Sequence, residues 1–157
     1  MKLYLKQKVF TLVDKFTLYD EAGNDRYYVQ GAAFSIGKKL HILDLNGNEI
    51  AMIRQHVWTF LPRYSIFVGE REVAQVVKKF TFFRNEYAIE GLGWAVHGDM
   101  FDHDYEIWDG ERVIARVYKE WMSWGDAYGI DISPEVDPVT ALAVVLVIDA
   151  CLEQQNN

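Results

Sequence analysis

The densest group of side chains that could do chemistry lies in the segment His97-Gly98-Asp99-Met100-Phe101-Asp102-His103-Asp104. Imidazoles suit transition metals and carboxylates suit hard cations, so a divalent ion is one ligand that this segment could bind. The spacing fits neither the calcium loop of an EF-hand nor the H-E-x-x-H pattern of zinc enzymes. We therefore predict a solvated acidic hairpin loop with no metal or other cofactor, although the sequence leaves open whether His97, Asp99, Asp102 and His103 bind a metal.

Residues that could serve in nucleophilic catalysis give weak signals. Ala33-Phe34-Ser35-Ile36-Gly37 approaches the nucleophile elbow of hydrolases, but it lacks the first glycine and no helix pattern follows. Cys151 lies in an apolar tail, where a thiol usually packs as a small hydrophobe. Asp149, in the same tail, is either a functional acid or a carboxylate near a helix end that reaches solvent, a backbone amide or a basic side chain, and we favour the second interpretation. We predict no catalytic residue.

Basic side chains are the candidates for ligand binding. They are Lys38, Lys39, Arg63, Lys78, Lys79 and Arg84. If several of them converge on one face, each contributes about 1 kcal/mol near an anionic lipid surface. If they are scattered around the fold, they only add solubility. Both arrangements are compatible with the sequence.

Aromatic side chains near one of these basic residues have two interpretations. Trp58, Phe60 and Leu61, beside Pro62-Arg63, could form a loop that touches a membrane or a partner. Trp121 and Trp124 recur in a similar position later in the chain, and packing within the fold explains both groups more simply. We therefore predict packing.

The charge of the chain is unevenly distributed. Sixteen basic and 23 acidic residues give a net charge of −7, which argues against nucleic-acid binding. Residues 1–80 hold 12 basic and 8 acidic residues, and residues 81–157 hold 4 basic and 15 acidic residues, so the balances are +4 and −11. If the halves are structurally equivalent, the protein has a basic side and an acidic side. Ordinary surface charge is the alternative.

Length and cysteine content indicate the class of protein. With 157 residues, half of them apolar, the chain predicts one domain over residues 1–157. The single cysteine cannot form an internal disulfide, which favours a reducing cytoplasm. Met1-Lys2-Leu3-Tyr4-Leu5-Lys6 contains no apolar run long enough for a secretory signal. We expect a cytoplasmic protein.

The elements that must position these residues follow a pattern that occurs twice. Residues 15–19 resemble residues 79–83 and residues 50–53 resemble residues 114–117, both at an offset of 64, while residues 28–31 resemble residues 88–91 at an offset of 60. A long period that occurs twice indicates a duplicated half-domain, with halves at about 1–68 and 69–133. Short runs rich in β-branched and aromatic residues alternate with turn signals such as Asp20-Glu21-Ala22-Gly23-Asn24 and Asp44-Leu45-Asn46-Gly47-Asn48. This alternation predicts an all-β sheet that closes or is covered.

The end of the chain predicts a helix over 137–153. Asp137 followed by Pro138 suits an N-cap and a first helical position. From Val139 to Leu152, 12 of 14 residues are apolar. A helix that is apolar all round must be enclosed, and this stretch is shorter than the roughly 20 residues of a bilayer span. We predict a core helix and no transmembrane segment.

The order of these features resembles the LURP-one-related family, a relative of the tubby C-terminal domain and of the phospholipid scramblases. The matching residues are Tyr4-Leu5-Lys6-Gln7-Lys8, Asp14-Lys15-Phe16, Trp124-Gly125-Asp126-Ala127-Tyr128-Gly129-Ile130-Asp131-Ile132, and Asp149 in the apolar tail. The resemblance covers nearly the whole chain. It implies a mainly β, tubby-like closed barrel of about twelve strands in two duplicated halves around a buried hydrophobic C-terminal α-helix.

The same resemblance shapes the expected function. Tubby domains bind phosphoinositides through basic residues on the barrel, and scramblase relatives act at membranes, but no tubby lipid-binding motif matches here residue by residue. We expect a non-enzymatic binding module that binds anionic phospholipid or phosphorylated headgroups at a membrane surface. One alternative is a protein-interaction scaffold that uses the acidic second half. A second is an enzyme whose pocket contains His97 or His103 beside carboxylates.

Overall fold

The structure, a computed structural model, describes residues 1–6, 15–32, 35–79, 81 and 86–156. These residues contain twelve strands and one helix. The elements are β1 (Lys2–Lys6), β2 (Lys15–Tyr19), β3 (Asp25–Gly31), β4 (Lys39–Leu43), β5 (Glu49–Gln55), β6 (Arg63–Val68), β7 (Arg71–Lys79), β8 (Glu86–Glu90), β9 (Trp94–Asp99), β10 (Asp104–Asp109), β11 (Arg112–Met122), β12 (Gly125–Ile132) and α1 (Pro138–Asn156). Consecutive strands pair antiparallel, and β1 also pairs with β12, which closes the barrel. The predicted fold class is confirmed.

The interior of the barrel is filled by α1 and by alternate side chains of the strands. In β4, for example, Leu40 and Ile42 are buried while their neighbours are only half-buried. Residues 141–148 of α1 are at most 1% exposed, and the helix contacts β5, β6, β7, β11 and β12. Burial on all sides explains why α1 has no polar face.

The start of α1 follows the predicted capping pattern. Oδ2 of Asp137 accepts a hydrogen bond from the backbone N–H of Thr140 at 3.1 Å and another from its hydroxyl at 2.6 Å. Pro138 occupies the first helical position, where a backbone N–H would have no partner within the helix. The helix ends at Asn156, three residues beyond the predicted end at 153.

Replacing Asp137 with alanine is expected to lower the free energy of unfolding by about 1 kcal/mol, because loss of the capping carboxylate leaves the backbone N–H of Thr140 without its acceptor. Urea unfolding followed by circular dichroism measures this change. Glu111→Ala, at an exposed turn, is the matched control and should have no effect. Equal stability of Asp137→Ala and the control would contradict the capping role.

The two ends of the barrel are distinguished by the direction of α1. Lys38, just before β4, hydrogen-bonds to Ala150 and Glu153 near the end of α1. We call this the helix-C end and the opposite one the helix-N end. Because the strands alternate in direction, odd-numbered strands end and even-numbered strands begin at the helix-C end.

Two tight turns at the helix-N end share the same pattern of hydrogen bonds to an aspartate side chain. In the turns that begin at Asp20 and Asp44, Oδ1 of the aspartate accepts backbone hydrogen bonds from the second and fourth residues that follow, each at 2.9 Å. These hydrogen bonds lower the pKa of both carboxyl groups. Gly23 and Gly47 each have φ of 84°, a conformation that glycine adopts at little cost. The predicted reversals at these positions are confirmed.

The predicted duplication places some matched residues on equivalent strands. Residues 50–53 lie on β5 and residues 114–117 lie on β11, six strands later in a barrel of twelve. Residues 28–31 lie on β3, whereas residues 88–91 begin on β8, five strands later. The duplication, with halves at about 1–68 and 69–133, stays a prediction.

Within the described part of the chain, no helix has both the length and the apolar character that crossing a bilayer requires.

Candidate functional site

The predicted basic residues converge on one end of the barrel. Lys38, Lys39, Arg63, Lys78 and Lys79 lie at the helix-C end, where β4 and β6 begin and β7 ends. Arg84 lies outside the described residues. Strands β4 to β7 are consecutive neighbours in the barrel, so Lys39, Arg63, Lys78 and Lys79 occupy a continuous arc of its rim.

Lys38 belongs to the interior rather than to this rim. Its side chain is 4% exposed, and Nζ lies 3.1 Å from Oε2 of Glu153 and 3.4 Å from the carbonyl oxygen of Ala150. Burial lowers the pKa of Lys38, and the hydrogen bond with Glu153 opposes this shift. The ammonium also satisfies a carbonyl near the C-terminal end of α1, where positive charge is favourable.

Replacing Lys38 with methionine is expected to lower the free energy of unfolding by about 2 kcal/mol, because hydrogen bonds to two groups of α1 are lost, one of them charged. Chemical unfolding measures the change. Lys39→Met is the matched control because Lys39 is the adjacent residue, half-buried on the outward-facing side of β4, and it should have little effect. Equal changes in the two variants would argue against a specific role for Lys38 in holding the helix.

Arg63 is engaged along the outer surface of the barrel. Its Nη1 lies 2.5 Å from Oε1 of Gln75 and 3.0 Å from Oε2 of Glu90. The guanidinium is therefore directed along β7 and β8, and a carboxylate balances its charge. Among the predicted binding residues that the structure describes, Lys38 and Arg63 form ion pairs, whereas Lys39 and Lys78 form none with described residues. Lys79 lies opposite Glu86 across β7 and β8.

Lys78 lies at the mouth of the barrel at the helix-C end. Burial raises the pKa of the Cys151 thiol to about 12, and the positive charges of Lys38 and Lys78 oppose the shift. Both ammonium groups are thus close to the last turns of α1. Cys151 itself is buried and packs in the apolar interior, as predicted.

Charge is divided between two sectors of the helix-C end. We define the basic sector as the cationic residues at the ends of β1 to β7, leaving out Arg63 because it is paired with Glu90: Lys6, Lys15, Lys39, Arg54, Lys78 and Lys79. We define the acidic sector as the anionic residues on and between β8 to β12: Glu86, Asp99, Asp102, Asp104, Glu120 and Asp126. Lys119 lies among these acidic residues, and its Nζ is 2.6 Å from Oδ1 of Asp102. The uneven distribution of charge along the sequence therefore places basic and acidic residues on different arcs of the helix-C end.

The polar segment that follows β9 forms a hairpin turn. Oδ1 of Asp99 accepts a hydrogen bond from the backbone N–H of Asp102 at 3.0 Å, and Met100 is buried. Among the described residues, no group of three or more histidine, cysteine and acidic side chains could hold a metal ion. The exposed carboxylates fit the predicted acidic loop.

Asp149 has a partner that sequence reasoning missed. Nε2 of His103 lies 3.2 Å from Oδ1 of Asp149, an ion-pair distance without hydrogen-bond geometry. The His103 ring stacks on Tyr128 with centroids 4.0 Å apart, and its backbone has φ of 53°. The aspartate thus faces a basic side chain near the helix-C end. This agrees with its interpretation from sequence as a carboxylate near a helix end that reaches a basic side chain. No sequence pattern links positions 103 and 149.

A cleft lies where β8 and β9 separate. These strands pair only at Ala88–Ala95 and Ile89–Trp94, and a space of about 650 Å³ opens beside them. Its lining includes Lys79, Glu86, Tyr87, His97, Asp99 and Phe101. The enzyme alternative therefore retains a cleft in which His97 is beside carboxylates.

The prediction that the aromatic residues pack within the fold is wrong for three of them. Trp58 is 96% exposed, Phe60 is 99% exposed and Trp121 is 75% exposed. For Trp58 and Phe60 the physical reason is a projecting loop. The backbone N–H of His56 donates to the carbonyl of Arg63 at 2.9 Å, which closes the loop at its base and leaves the residues between them outside the sheet.

Comparison with known proteins supports the architecture. An X-ray structure of a protein from Arabidopsis thaliana matches with a TM-score of 0.67 and 18% identity, covering 99% of this chain and 91% of that chain, and this match shows a shared tubby-like fold. The uncharacterized protein YxjI of Bacillus subtilis (strain 168) is 37% identical over 152 residues, which cover 97% of this chain and 94% of that protein. The sequence model of LURP-one-related proteins matches residues 1–149, from the first strand into the enclosed helix. This chain therefore belongs to the LURP-one-related family.

Proposed function

We propose that this protein is a non-enzymatic module of the cytoplasm that binds anionic phospholipid or phosphorylated headgroups at a membrane surface. The observation that carries the proposal is the basic sector. Lys39 on β4 and Lys78 and Lys79 on β7 lie at one end of the barrel, separated by β5 and β6, with Lys6, Lys15 and Arg54 on the same rim. The fold and family are compatible with such a role, but the charge distribution gives the specific argument.

Local charge outweighs net charge in this geometry. Although the chain carries −7 overall, a surface charge acts over a Debye length of about 8–10 Å at physiological salt. An anionic surface that meets β4 to β7 at this end therefore interacts mainly with cations, while the acidic sector occupies the rest of the rim and adjoins the basic sector where Lys79 lies opposite Glu86. Each lysine near such a surface contributes about 1 kcal/mol.

Competition distinguishes a membrane-bound headgroup from a free phosphorylated molecule. Protein bound to phosphatidylglycerol vesicles would be titrated with inositol hexakisphosphate or with glycerol phosphate. We expect displacement only at a large excess, because a vesicle engages several lysines at once whereas a soluble headgroup engages few. Complete displacement at equal concentrations of ligand and accessible lipid would favour a soluble phosphorylated ligand.

A protein-interaction scaffold is a second candidate, and the acidic sector is the observation that favours it. Asp99, Asp102 and Asp104 are exposed and adjoin one another at the end of β9 and the start of β10. The hydrogen bond from Lys119 lowers the pKa of Asp102, so that carboxylate stays ionised. A stoichiometric basic partner that is lost on converting the three aspartates to asparagine would support the scaffold.

A further inference from the structure

We propose that an apolar protrusion beside the basic sector inserts into the headgroup region of the bilayer and fixes how the barrel sits on the membrane. The protrusion consists of Ile36, Val57, Trp58 and Phe60, which are 85%, 38%, 96% and 99% exposed. This inference rests on the proposed membrane-binding function. It adds a hydrophobic contact and an orientation to it.

The four side chains belong to one surface although they come from two loops. Lys38 and Gln55 join the loops through two hydrogen bonds of 2.9 Å, one between backbone groups and one from the Lys38 N–H to Oε1 of Gln55. Gly37 packs directly against Cγ1 of Val57, and no side chain would fit between them. Ile36 is therefore held beside the loop that carries Trp58 and Phe60.

The loop between His56 and Arg63 is held in its conformation by hydrogen bonds within the protein. Besides the His56–Arg63 backbone hydrogen bond at its base, the hydroxyl of Thr59 donates to the carbonyl of His56 at 3.2 Å. The backbone N–H of Lys78 donates to the carbonyl of Pro62 at 2.9 Å, which ties the loop to the end of β7. A preformed loop pays less conformational entropy on binding.

The surroundings of the protrusion identify a lipid surface as its occupant. Lys39 follows the Ile36 turn, and Lys78-Lys79 adjoins the end of the Trp58 loop. Aromatic side chains flanked by lysines suit the interface of a bilayer, where rings enter the boundary between headgroups and acyl chains and ammonium groups meet phosphates. A lipid surface therefore meets both the apolar side chains and the lysines that lie beside them.

Insertion at this point defines an orientation. Strands β4 to β7 face the bilayer at the helix-C end, and the helix-N end points away from it. The acidic sector lies across the barrel mouth, tilted away from the anionic surface. Charge and apolar contact therefore act on the same side of the molecule.

The test combines Trp58→Ser with Phe60→Ser and compares this variant with Trp121→Ser. Trp121 is an exposed tryptophan at the end of β11, in the acidic sector, and serves as the matched control. Co-sedimentation with phosphatidylglycerol vesicles should show a loss of about tenfold in affinity for each aromatic and about 100-fold for the pair, with Trp121→Ser unchanged. Thermal unfolding should be equal in all three proteins, because the replaced side chains are exposed.

Depth is measured with brominated phospholipids, which quench tryptophan fluorescence on contact. Quenching that disappears in Trp58→Phe is the expected result. Binding without that quenching overturns insertion and leaves the proposed function standing, whereas no binding of the unaltered protein overturns both. Loss of self-association in the serine variant, without quenching in the unaltered protein, would instead assign the protrusion to a second copy of this chain.

Discussion

Replacing Lys39, Lys78 and Lys79 with glutamine is expected to weaken binding to anionic vesicles about 100-fold. The three ammonium groups lie at the start of β4 and the end of β7, on one arc of the rim. Each contributes about 1 kcal/mol near an anionic surface, and about 3 kcal/mol in total corresponds to slightly more than a factor of 100. Affinities come from vesicle titrations at fixed ionic strength.

The matched control removes the same charge from the opposite end of the barrel. Lys2, Arg26 and Arg71 lie at the starts of β1, β3 and β7, at the helix-N end. Converting them to glutamine changes the net charge equally but should alter affinity little. Equal losses in both triple variants would show that total charge, not the basic sector, governs binding.

Alkaline pH is expected to destabilise the fold steeply, at about 4 kcal/mol per pH unit between about pH 10.5 and pH 11.5. Burial raises the pKa of Tyr64, Tyr105 and Cys151 above the ordinary values of 10 for tyrosine and 9 for cysteine. Above those values the unfolded chain loses three protons that the folded protein keeps, so the free energy of unfolding falls as pH rises. Each proton contributes about 1.4 kcal/mol per pH unit.

The lower limit of this pH range is set by Lys38, whose pKa is lowered by burial. Below the ordinary lysine pKa of 10.5, the unfolded chain holds a proton that the folded protein binds less tightly. Lys38 therefore opposes the fall in the free energy of unfolding with rising pH in that range. Urea midpoints measured across the range give the slope. Tyr64→Phe should reduce it by about one third, since one of three protons is removed. A stability independent of pH in this range would contradict the burial of these groups.

Local signals in the sequence predicted local structure well. Asp137-Pro138 predicted the helix start, and Asp20 and Asp44 with their glycines predicted the reversals, because the groups that interact there are within four residues of one another. The apolar tail predicted an enclosed helix because no exposed helix is apolar on all sides. These inferences needed no knowledge of which strands are neighbours.

Contacts between distant residues could not be read in this way. The Lys38–Glu153 pair joins residues 115 positions apart, so the sequence does not distinguish the buried Lys38 from the surface lysines. The sequence predicts packing for Trp58 and Phe60 because it does not show which loops project from a barrel. One signal was available for the basic sector: in a barrel of consecutive antiparallel strands, every second connection lies at the same end, and the predicted lysines adjoin such connections.

The most direct test of membrane binding through the basic sector is co-sedimentation of the unaltered protein with vesicles of phosphatidylcholine alone and of phosphatidylcholine mixed with phosphatidylglycerol, at low and at physiological salt. We predict binding to the anionic vesicles only, weaker at the higher salt because ions screen the basic sector. No binding to anionic vesicles at low salt, or equal binding to both kinds of vesicle, would contradict it.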